Sequence, residues 1–370
     1  MPDLRESVLQ YDVEAPLPRA ATPPSAWYVD PRFDALERRA VFARTWQLAA
    51  RLDQLPEPGC YVTANIAGEP IAVVRGRDGE LRAFHNVCRH HAAEVLTQPQ
   101  GRSHNLRCPY HGWTYSLEGA LKGCPEFREV EDFDKSQNGL APVRLETWEN
   151  FAFVCAAREA PPLRAQFAAA LERMAPLGLG KLRFFERREY TLACNWKVFV
   201  DNYLDGGYHV PHIHKGLGSV IDYSRYAIEN AGRACIQSTP IDASGADRET
   251  ASVRGGDIGY YVWLYPNLMF NWYEGYLDTN LVLPLGHDRC RVIFDFFFAD
   301  SADAAHDDEY RRRSIAVGER VQQEDIDICE SVQRGVASRA YDVGRLSVQR
   351  EAGEHLFHRL LAADLRAALG

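Results

Sequence analysis

The chain has 370 residues, of which 46% are hydrophobic and 25% charged, a composition typical of an ordinary globular protein. Its net charge of −9 argues against nucleic acids and anionic membrane surfaces as partners. No apolar run approaches the roughly 20 residues of a membrane helix, and residues 1–24 lack the apolar core of a signal peptide. The nine cysteines are scattered, so we expect free thiols and a cytoplasmic protein.

The N-terminal third predicts a helix followed by a small β domain. Residues 30–47 have an amphipathic pattern, with Asp30 as the N-cap and Pro31 as the first helical residue. From residue 59 to residue 155 the pattern changes to short strands, including a hairpin around Arg77-Asp78-Gly79. We place this all-β domain at 46–158 and assign 1–45 and 159–370 to a second, larger domain.

Two matched motifs lie within the β domain. Cys88-Arg-His90 is followed, after seventeen residues, by Cys108-Pro-Tyr-His111-Gly-Trp. A Rieske [2Fe–2S] centre needs two cysteines on one iron and two histidines on the other. Zinc is the alternative, but a zinc site does not favour one cysteine and one histidine in each loop. The motifs therefore predict a [2Fe–2S] cluster bound by these four residues.

The remainder of the chain is long enough for a second hydrophobic core. Its pattern predicts a short helix at 163–174, strands, a hairpin formed by 277–284 and 290–298, and a C-terminal helix at 317–336. Strands and helices are mixed without βαβ regularity. We therefore predict an α+β protein: a small all-β domain, and a larger domain with a mainly antiparallel sheet and flanking helices.

A histidine-rich segment in the larger domain is a candidate iron site. His209, His212 and His214 fall within six residues, and a non-haem iron(II) facial triad needs two histidines and one carboxylate. Spacing leaves the pair open. His209 and His212 share a helix face, whereas His209 and His214 would need a distortion such as a π-bulge. A chance cluster of surface histidines is the alternative.

The carboxylate of such a triad must come from another part of the chain. In the predicted helix at 317–336, Asp325 falls inside an apolar stripe, whereas Asp327 points to solvent. A carboxylate in an apolar stripe is costly without a cation. Asp325 is therefore the candidate ligand, and a buried ion pair with an arginine is the alternative.

Aromatic residues concentrate between residues 260 and 276. Aromatic faces with a carboxylate suit a quaternary ammonium ion, although a packed strand also favours aromatic residues. The candidate substrate residues are Tyr261, Trp263, Tyr265, Trp272, Tyr273 and Glu274.

Together these motifs resemble the α subunits of Rieske non-haem iron oxygenases, in the aromatic-ring-hydroxylating dioxygenase superfamily. The runs 201–211, 265–271 and 278–286 look most like the choline monooxygenase-like members, and the resemblance extends from about residue 27 to the C-terminus. It implies that His209, His214 and Asp325 bind a mononuclear Fe(II). It also implies that Asn202 lies near the iron, and that Asp205 links His209 to His111 of a neighbouring subunit. The acid stands four residues before His209, where many relatives have three.

The resemblance implies an oxygenase that hydroxylates or demethylates a small substrate, most closely a quaternary ammonium compound, as in the conversion of choline to betaine aldehyde. The alternatives are an aromatic-ring-hydroxylating dioxygenase α subunit and a non-catalytic Rieske electron carrier. The chain has no flavin or nicotinamide motif. Electrons are therefore expected from a separate NAD(P)H-dependent ferredoxin reductase or a ferredoxin, and the resemblance implies a homotrimer.

Overall fold

The computed structural model describes residues 3–66, 68–242, 244–300 and 307–370. The chain forms two compact units, one of residues 42–163 and the other of the described residues in 1–41 and 164–370. No helix in these described ranges is long and apolar enough to cross a bilayer. All nine cysteines are free of disulfide bonds.

The smaller unit is built from β-strands alone, apart from short 3-10 turns. Seven strands form an antiparallel sheet in the order β1-β10-β9-β4-β3-β2-β5, and three form a second sheet in the order β6-β7-β8. The strands are β1 Gln47–Arg51, β2 Cys60–Ile66, β3 Glu69–Arg75, β4 Leu81–His85, β5 Gln100–Arg102, β6 Leu106–Arg107, β7 Thr114–Tyr115, β8 Leu121–Gly123, β9 Pro142–Trp148 and β10 Phe151–Cys155.

The larger unit contains a seven-stranded antiparallel sheet in the order β11-β17-β16-β15-β14-β13-β12. Its strands are β11 Leu182–Leu192, β12 Ala227–Asn230, β13 Ala234–Pro240, β14 Ile258–Leu264, β15 Leu268–Tyr273, β16 Tyr276–Pro284 and β17 Cys290–Ala299. Its helices are α1 Leu4–Gln10, α2 Ala26–Val29, α3 Pro31–Ala40, α4 Leu163–Gln166, α5 Ala168–Met174, α6 Trp196–Leu204, α7 Lys215–Gly218, α8 Arg248–Val253, α9 Asp308–Val336 and α10 Ala352–Leu369. The predicted α+β class, with one all-β domain and one mixed domain, is confirmed.

Several helices and hairpins lie where the local sequence predicts them. The Asp30 side chain accepts a hydrogen bond from the backbone N–H of Arg32 and so caps α3, with Pro31 at its first position. In the β3–β4 hairpin, Gly79 adopts the positive φ of 84° that such a turn requires. The β16–β17 hairpin pairs Pro284 with Cys290, as its sequence predicts.

Three element boundaries differ from the prediction. Helix α3 ends at Ala40 rather than at residue 47, because residues 47–51 pair with β10 instead. The predicted helix at 163–174 breaks into two short pieces at Phe167. Helix α9 begins at Asp308, capped by Asp307, and a further helix, α10, follows it. Tertiary pairing overrides local propensity at such ends.

Helix α6 is held in place by a buried ion pair. It packs against β16, α9 and α10. Near its start, Lys197 Nζ lies 2.5 Å from Glu37 Oε1 of α3, and both side chains are almost completely buried. The indole N–H of Trp196 donates to the other oxygen of Glu37 at 2.6 Å. The carboxylate therefore binds two successive residues of α6.

We expect Lys197→Met to destabilise the larger unit, because it leaves the Glu37 carboxylate buried without its cation. Removing one partner of a buried pair costs about 3–5 kcal/mol, measurable by urea unfolding followed by circular dichroism. Lys181→Met, on an exposed turn of the same unit, is the matched control. An unchanged unfolding midpoint in Lys197→Met would contradict this account of α6.

Candidate metal centres and the adjoining cavity

The two cysteine loops of the smaller unit have the same backbone geometry. In each, the cysteine carbonyl accepts a hydrogen bond from the N–H four residues later, at 3.0 Å for Cys88 and Ala92 and 3.1 Å for Cys108 and Gly112. Ala92 and Gly112 both have positive φ, 59° and 72°. Each cysteine N–H also donates to the carbonyl five residues later, at 2.8 Å. Such matched loops can present two similar ligand pairs to one cluster.

The four predicted cluster ligands come together between these loops. The Cys88 and Cys108 side chains are buried in the same cluster, and the rings of His90 and His111 have centroids 4.7 Å apart. His90 stacks on Trp113 with an interplanar angle of 5°, and its Nδ1 is buried with no hydrogen-bond partner among the described residues. Two buried thiols and an unpaired buried imidazole nitrogen fit the donor set of a [2Fe–2S] cluster.

In the larger unit, His209, His214 and Asp325 converge, each offering one ligand atom within 4.8 Å of the others. Asp325 Oδ1 lies 3.1 Å from His214 Nε2 and 3.9 Å from His209 Nε2. Two imidazoles and one carboxylate are the donor set of a facial iron(II) triad. His212 is exposed and lies beside Tyr208. The structure thus brings together the 209–214 pair that spacing alone left open.

Two further carboxylates fix the orientation of the histidine rings. Asp205 Oδ2 accepts from His209 Nδ1 at 2.7 Å, and Glu324 Oε2 accepts from His214 Nδ1 at 2.7 Å. With both Nδ1 atoms occupied, both Nε2 atoms are left to face Asp325. A carboxylate on the outer nitrogen sets the tautomer and raises the basicity of a ligand imidazole.

The chain turn that joins the two histidines is not a π-bulge. Helix α6 ends at Leu204, and Gly206 and Gly207 then adopt positive φ of 67° and 69°. A Cβ on Gly206 would lie 2.1 Å from the carbonyl oxygen of Arg350, so only glycine fits there. A series of turns, including the His214 N–H to Val210 carbonyl bond at 3.0 Å, completes the segment. The two histidines therefore lie in turns that follow the end of α6, rather than in a distorted helix.

Asp325 reaches the site from α9, about 110 residues further along the chain. Its Oδ1 also accepts a hydrogen bond from the Asn202 amide of α6 at 2.7 Å. Among the described residues, the basic side chains with a nitrogen within 4.0 Å of its carboxylate are the two histidines rather than an arginine. Asp327 is exposed. The position of Asp325 in the apolar stripe therefore correctly indicated that it points inward, and the basic groups that face it are imidazoles.

A cavity of about 110 Å³ adjoins the triad inside the larger unit. Asn202 and all three triad residues line it. Its aromatic lining residues are Phe199, Tyr203, Tyr226, Tyr261, Tyr273 and Phe294, and its remaining charged lining residues are Arg254 and Asp278. A largely aromatic chamber with a few polar groups beside a metal centre is typical of a small-molecule site.

Only two of the six predicted substrate residues, Tyr261 and Tyr273, line this cavity. Trp272 lies on the opposite face of β15 from Tyr273 and contacts Tyr260. Trp263 shares a strand face with Tyr261 but packs further along, against Phe357. The other two predicted residues also lie outside the cavity lining: Tyr265 is buried under Arg233, and Glu274 is exposed.

Three charged residues of the site, Arg254, Asp278 and Glu324, were not predicted from the sequence, nor were the cavity aromatics Phe199, Tyr203, Tyr226 and Phe294. Asp278 is the one charged residue of strand β16, and it is 5% exposed. Burial raises its pKa, while donors on Tyr276, Asn271 and Asn280 favour the ionised form. Glu324 is the acidic neighbour of Asp325. Arg254 follows a short helix and carries no sequence pattern that marks it as part of a site.

We expect Glu324→Ala to weaken binding of Fe(II) by about 10–100-fold, because His214 loses the carboxylate that orients it. Titration of the metal-free protein with Fe(II), read as tryptophan fluorescence or bound iron, measures the affinity. Asp327→Ala, exposed on the same helix, is the matched control. Equal iron affinity in the two variants would show that Glu324 has no role in the metal centre.

Comparison with protein families gives two matches that together span most of the chain. Residues 45–134 match the Rieske [2Fe-2S] domain, and residues 179–367 match the catalytic domain of the ring hydroxylating alpha subunit. Choline monooxygenase of Arabidopsis thaliana is 40% identical, over 98% of this chain and 87% of that protein. The carnitine monooxygenase oxygenase subunit of Escherichia coli is 31% identical, over 93% of each.

Solved structures agree with these matches. The quaternary ammonium Rieske monooxygenase CntA in complex with L-carnitine aligns with a TM-score of 0.81 at 27% identity, over 98% of this chain and 99% of that one. Naphthalene 1,2-dioxygenase from Rhodococcus sp. has a TM-score of 0.81 at 21% identity, over 99% of both chains, which shows a shared fold. The chain therefore belongs to the ring-hydroxylating oxygenase α subunits, and it is a Rieske non-haem iron oxygenase with a [2Fe–2S] cluster and a mononuclear iron.

Proposed function

We propose that Cys88, His90, Cys108 and His111 bind the cluster and that His209, His214 and Asp325 bind the mononuclear iron. The observation that carries the proposal is the convergence of three ligand atoms beside the aromatic cavity. When bound, the cluster supplies single electrons, and the iron activates dioxygen for insertion into a C–H bond. The protein's part is to hold the two imidazoles through Asp205 and Glu324 and to position a substrate in the cavity.

We propose a quaternary ammonium compound as the substrate, the class that the names of its choline- and carnitine-oxidising relatives share. A trimethylammonium group has no N–H to donate, so it is recognised by aromatic faces and by a nearby carboxylate. Four tyrosines line the cavity and provide such faces, and the Asp325 carboxylate of the triad also lines it. In such a monooxygenation, one dioxygen, two electrons and two protons place one oxygen atom in a C–H bond and release the other as water.

The electrons come from a separate protein. We propose an NAD(P)H-dependent ferredoxin reductase or a ferredoxin as that partner, a homotrimer as the assembly, and a cytoplasmic location. Asp205 is proposed to connect His209 with His111 of a neighbouring subunit. Its support is that Asp205 already binds His209 through both the ring Nδ1 at 2.7 Å and the backbone N–H at 3.0 Å.

The function is tested with His209→Ala, because His209 is a proposed ligand of the mononuclear iron but lies outside the cluster loops. We expect its iron content to fall from about three per chain to about two, with loss of substrate-dependent oxygen uptake. The visible spectrum of the cluster should remain unchanged. The assay uses reduced protein with choline, glycine betaine, carnitine or benzoate, and quantifies both oxygen uptake and product.

The matched control is His212→Ala, since this histidine is exposed and belongs neither to the triad nor to the cavity lining. It should retain iron and activity. Loss of the cluster spectrum in His209→Ala would contradict the ligand assignment. Oxygenation of benzoate alone would favour the aromatic-ring dioxygenase, and wild-type protein with only two irons and no oxygen uptake would favour an electron carrier.

The cluster environment gives a second, independent test. The hydroxyl of Tyr115 lies 3.3 Å from Cys88 Sγ and accepts the backbone N–H of Arg89 at 2.9 Å, so its own proton can be donated to the sulfur. Burial raises the pKa of Tyr115, which keeps it a donor. A donor to a ligand sulfur stabilises the reduced cluster.

Tyr115→Phe should therefore lower the reduction potential of the cluster by roughly 20–60 mV, the equivalent of one net hydrogen bond. Redox titration followed by electron paramagnetic resonance measures it. Tyr110→Phe, at an exposed position beside His111, is the control and should leave the potential unchanged. A potential in Tyr115→Phe equal to that of wild type would exclude the hydrogen bond to sulfur.

A further inference from the structure

We propose that Arg254 binds a carboxylate of the substrate, so that the enzyme prefers a zwitterionic trimethylammonium carboxylate to the simple cation choline. The proposal rests on the proposed function, since it specifies which quaternary ammonium compound occupies the same cavity.

In the part of the chain that the structure describes, Arg254 is a buried cation with no carboxylate in direct contact, and Asp278 acts on it only at longer range. It is 5% exposed, and no carboxylate oxygen of the described residues lies within 4.0 Å of its guanidinium nitrogens. Both of its hydrogen bonds come from Nη1, to Ser314 Oγ at 2.9 Å and to the Val253 carbonyl at 3.4 Å. A buried charge is costly unless it is paired in direct contact, so a guanidinium at the cavity wall is suited to a ligand that brings a carboxylate within hydrogen-bonding distance.

The surroundings of Arg254 hold its guanidinium at the cavity. It stacks over the rings of Tyr273 and Tyr276, at 5.0 and 4.8 Å from their centroids. Its Nη2 lies 3.8 Å from the position that a Cβ on Gly318 would occupy, and Gly318 itself lines the cavity. A stacked, planar guanidinium presents its remaining N–H groups in a fixed fork, which matches the two oxygens of a carboxylate.

Helix α9 sets the distance between this cation and the iron ligands. Gly318 and Asp325 both line the cavity and are seven residues apart, which places them on the same helix face about 10 Å apart. The cavity therefore has Arg254 at one end and the triad at the other. A substrate with a charged group at each end of a short chain can reach both ends at once.

A row of tyrosines connects the two ends. Tyr273 lies under Arg254, and its hydroxyl is 2.8 Å from that of Tyr261. Tyr261 stacks with Tyr226 at 6.1 Å, and Tyr226 packs against Gly207, two residues before His209. The trimethylammonium group of a zwitterionic substrate can lie along these rings with its methyl groups towards the triad. The carboxylate at the other end of the substrate then binds Arg254.

Charge balance also disfavours a simple cation. Asp278 is the other charged residue at the distal end, and its oxygens already accept hydrogen bonds from Tyr276, Asn271 and Asn280 at 2.7–2.8 Å. If Asp278 is ionised, Arg254 and Asp278 sum to zero; if it is protonated, the sum is positive. Neither state gives the excess negative charge that would favour choline over a molecule with both signs.

The test compares substrates by charge in wild type, Arg254→Gln and Arg254→Lys. Choline, glycine betaine, carnitine and γ-butyrobetaine are tested by equilibrium dialysis for affinity and by single-turnover oxidation of the chemically reduced protein. Wild type should prefer the zwitterions to choline. Arg254→Gln should lower the affinity for the zwitterions, and their single-turnover rate at subsaturating concentration, by about a hundredfold, with at most about a threefold change for choline.

Arg254→Lys should show an intermediate loss, because lysine keeps the charge but not the planar fork. Arg233→Gln is the matched control: Arg233 also stacks on a tyrosine, Tyr265 at 4.3 Å, but it does not line the cavity, so the substrate ratio should be unchanged.

A preference of wild type for choline, or an equal loss for all four substrates in Arg254→Gln, would overturn the proposal. The wild-type preference and Arg254→Lys decide the matter if Arg254→Gln fails to fold. Absence of binding and turnover with every quaternary ammonium compound is a different result, because it refutes the proposed function itself.

Discussion

The larger unit depends on one arrangement, in which two carboxylates each bind the outer nitrogen of a histidine. Asp205 and Glu324 hold His209 and His214 so that both Nε2 atoms face Asp325. The Asp205–His209 bond holds the turn after α6 together, and the His214–Glu324 bond connects that turn to α9. Each is charge-assisted and only partly exposed to solvent, where such bonds are strongest. The position of α6 relative to α9 therefore determines the geometry of the metal centre.

The rest of α6 is fixed from two sides. Asp201 accepts hydrogen bonds from Tyr28 at 2.7 Å and from His358 of α10 at 2.9 Å, whereas the next residue, Asn202, donates to Asp325 of α9 at 2.7 Å. Adjacent residues on a helix point to different faces, so α6 is tied to two helices at the same level. Together with the buried Lys197–Glu37 pair, this removes the freedom of α6 to rotate and move the site.

Features that depend on local sequence were predictable, and features that depend on long-range packing were not. The cluster loops, the cap at Asp30 and the hairpin at Gly79 each follow from a few adjacent residues. Asp325 was found because a carboxylate in an apolar stripe conflicts with its surroundings. Two of the six predicted substrate residues line the cavity, since period-2 alternation places Tyr273 inward and Trp272 outward, and no local signal distinguishes the two. Arg254 enters the cavity solely through its packing against β15, β16 and α9.

The sheet beneath the cavity contains buried polar residues, which cost stability and therefore indicate a function. Asn271, Asp278 and Asn280 lie on adjacent strands where aliphatic residues would pack more favourably, and their mutual hydrogen bonds of 2.7–3.1 Å only offset the loss of water. A fold that needed only a hydrophobic core would not concentrate such groups beside a triad and a buried arginine. Polar residues that interrupt a hydrophobic core, satisfy one another's hydrogen bonds and face a cavity are typical of a binding surface. The Tyr203 hydroxyl donates to Asn271 Oδ1 at 2.9 Å. This aromatic residue of the cavity is therefore positioned by the same hydrogen-bond network that surrounds Asp278.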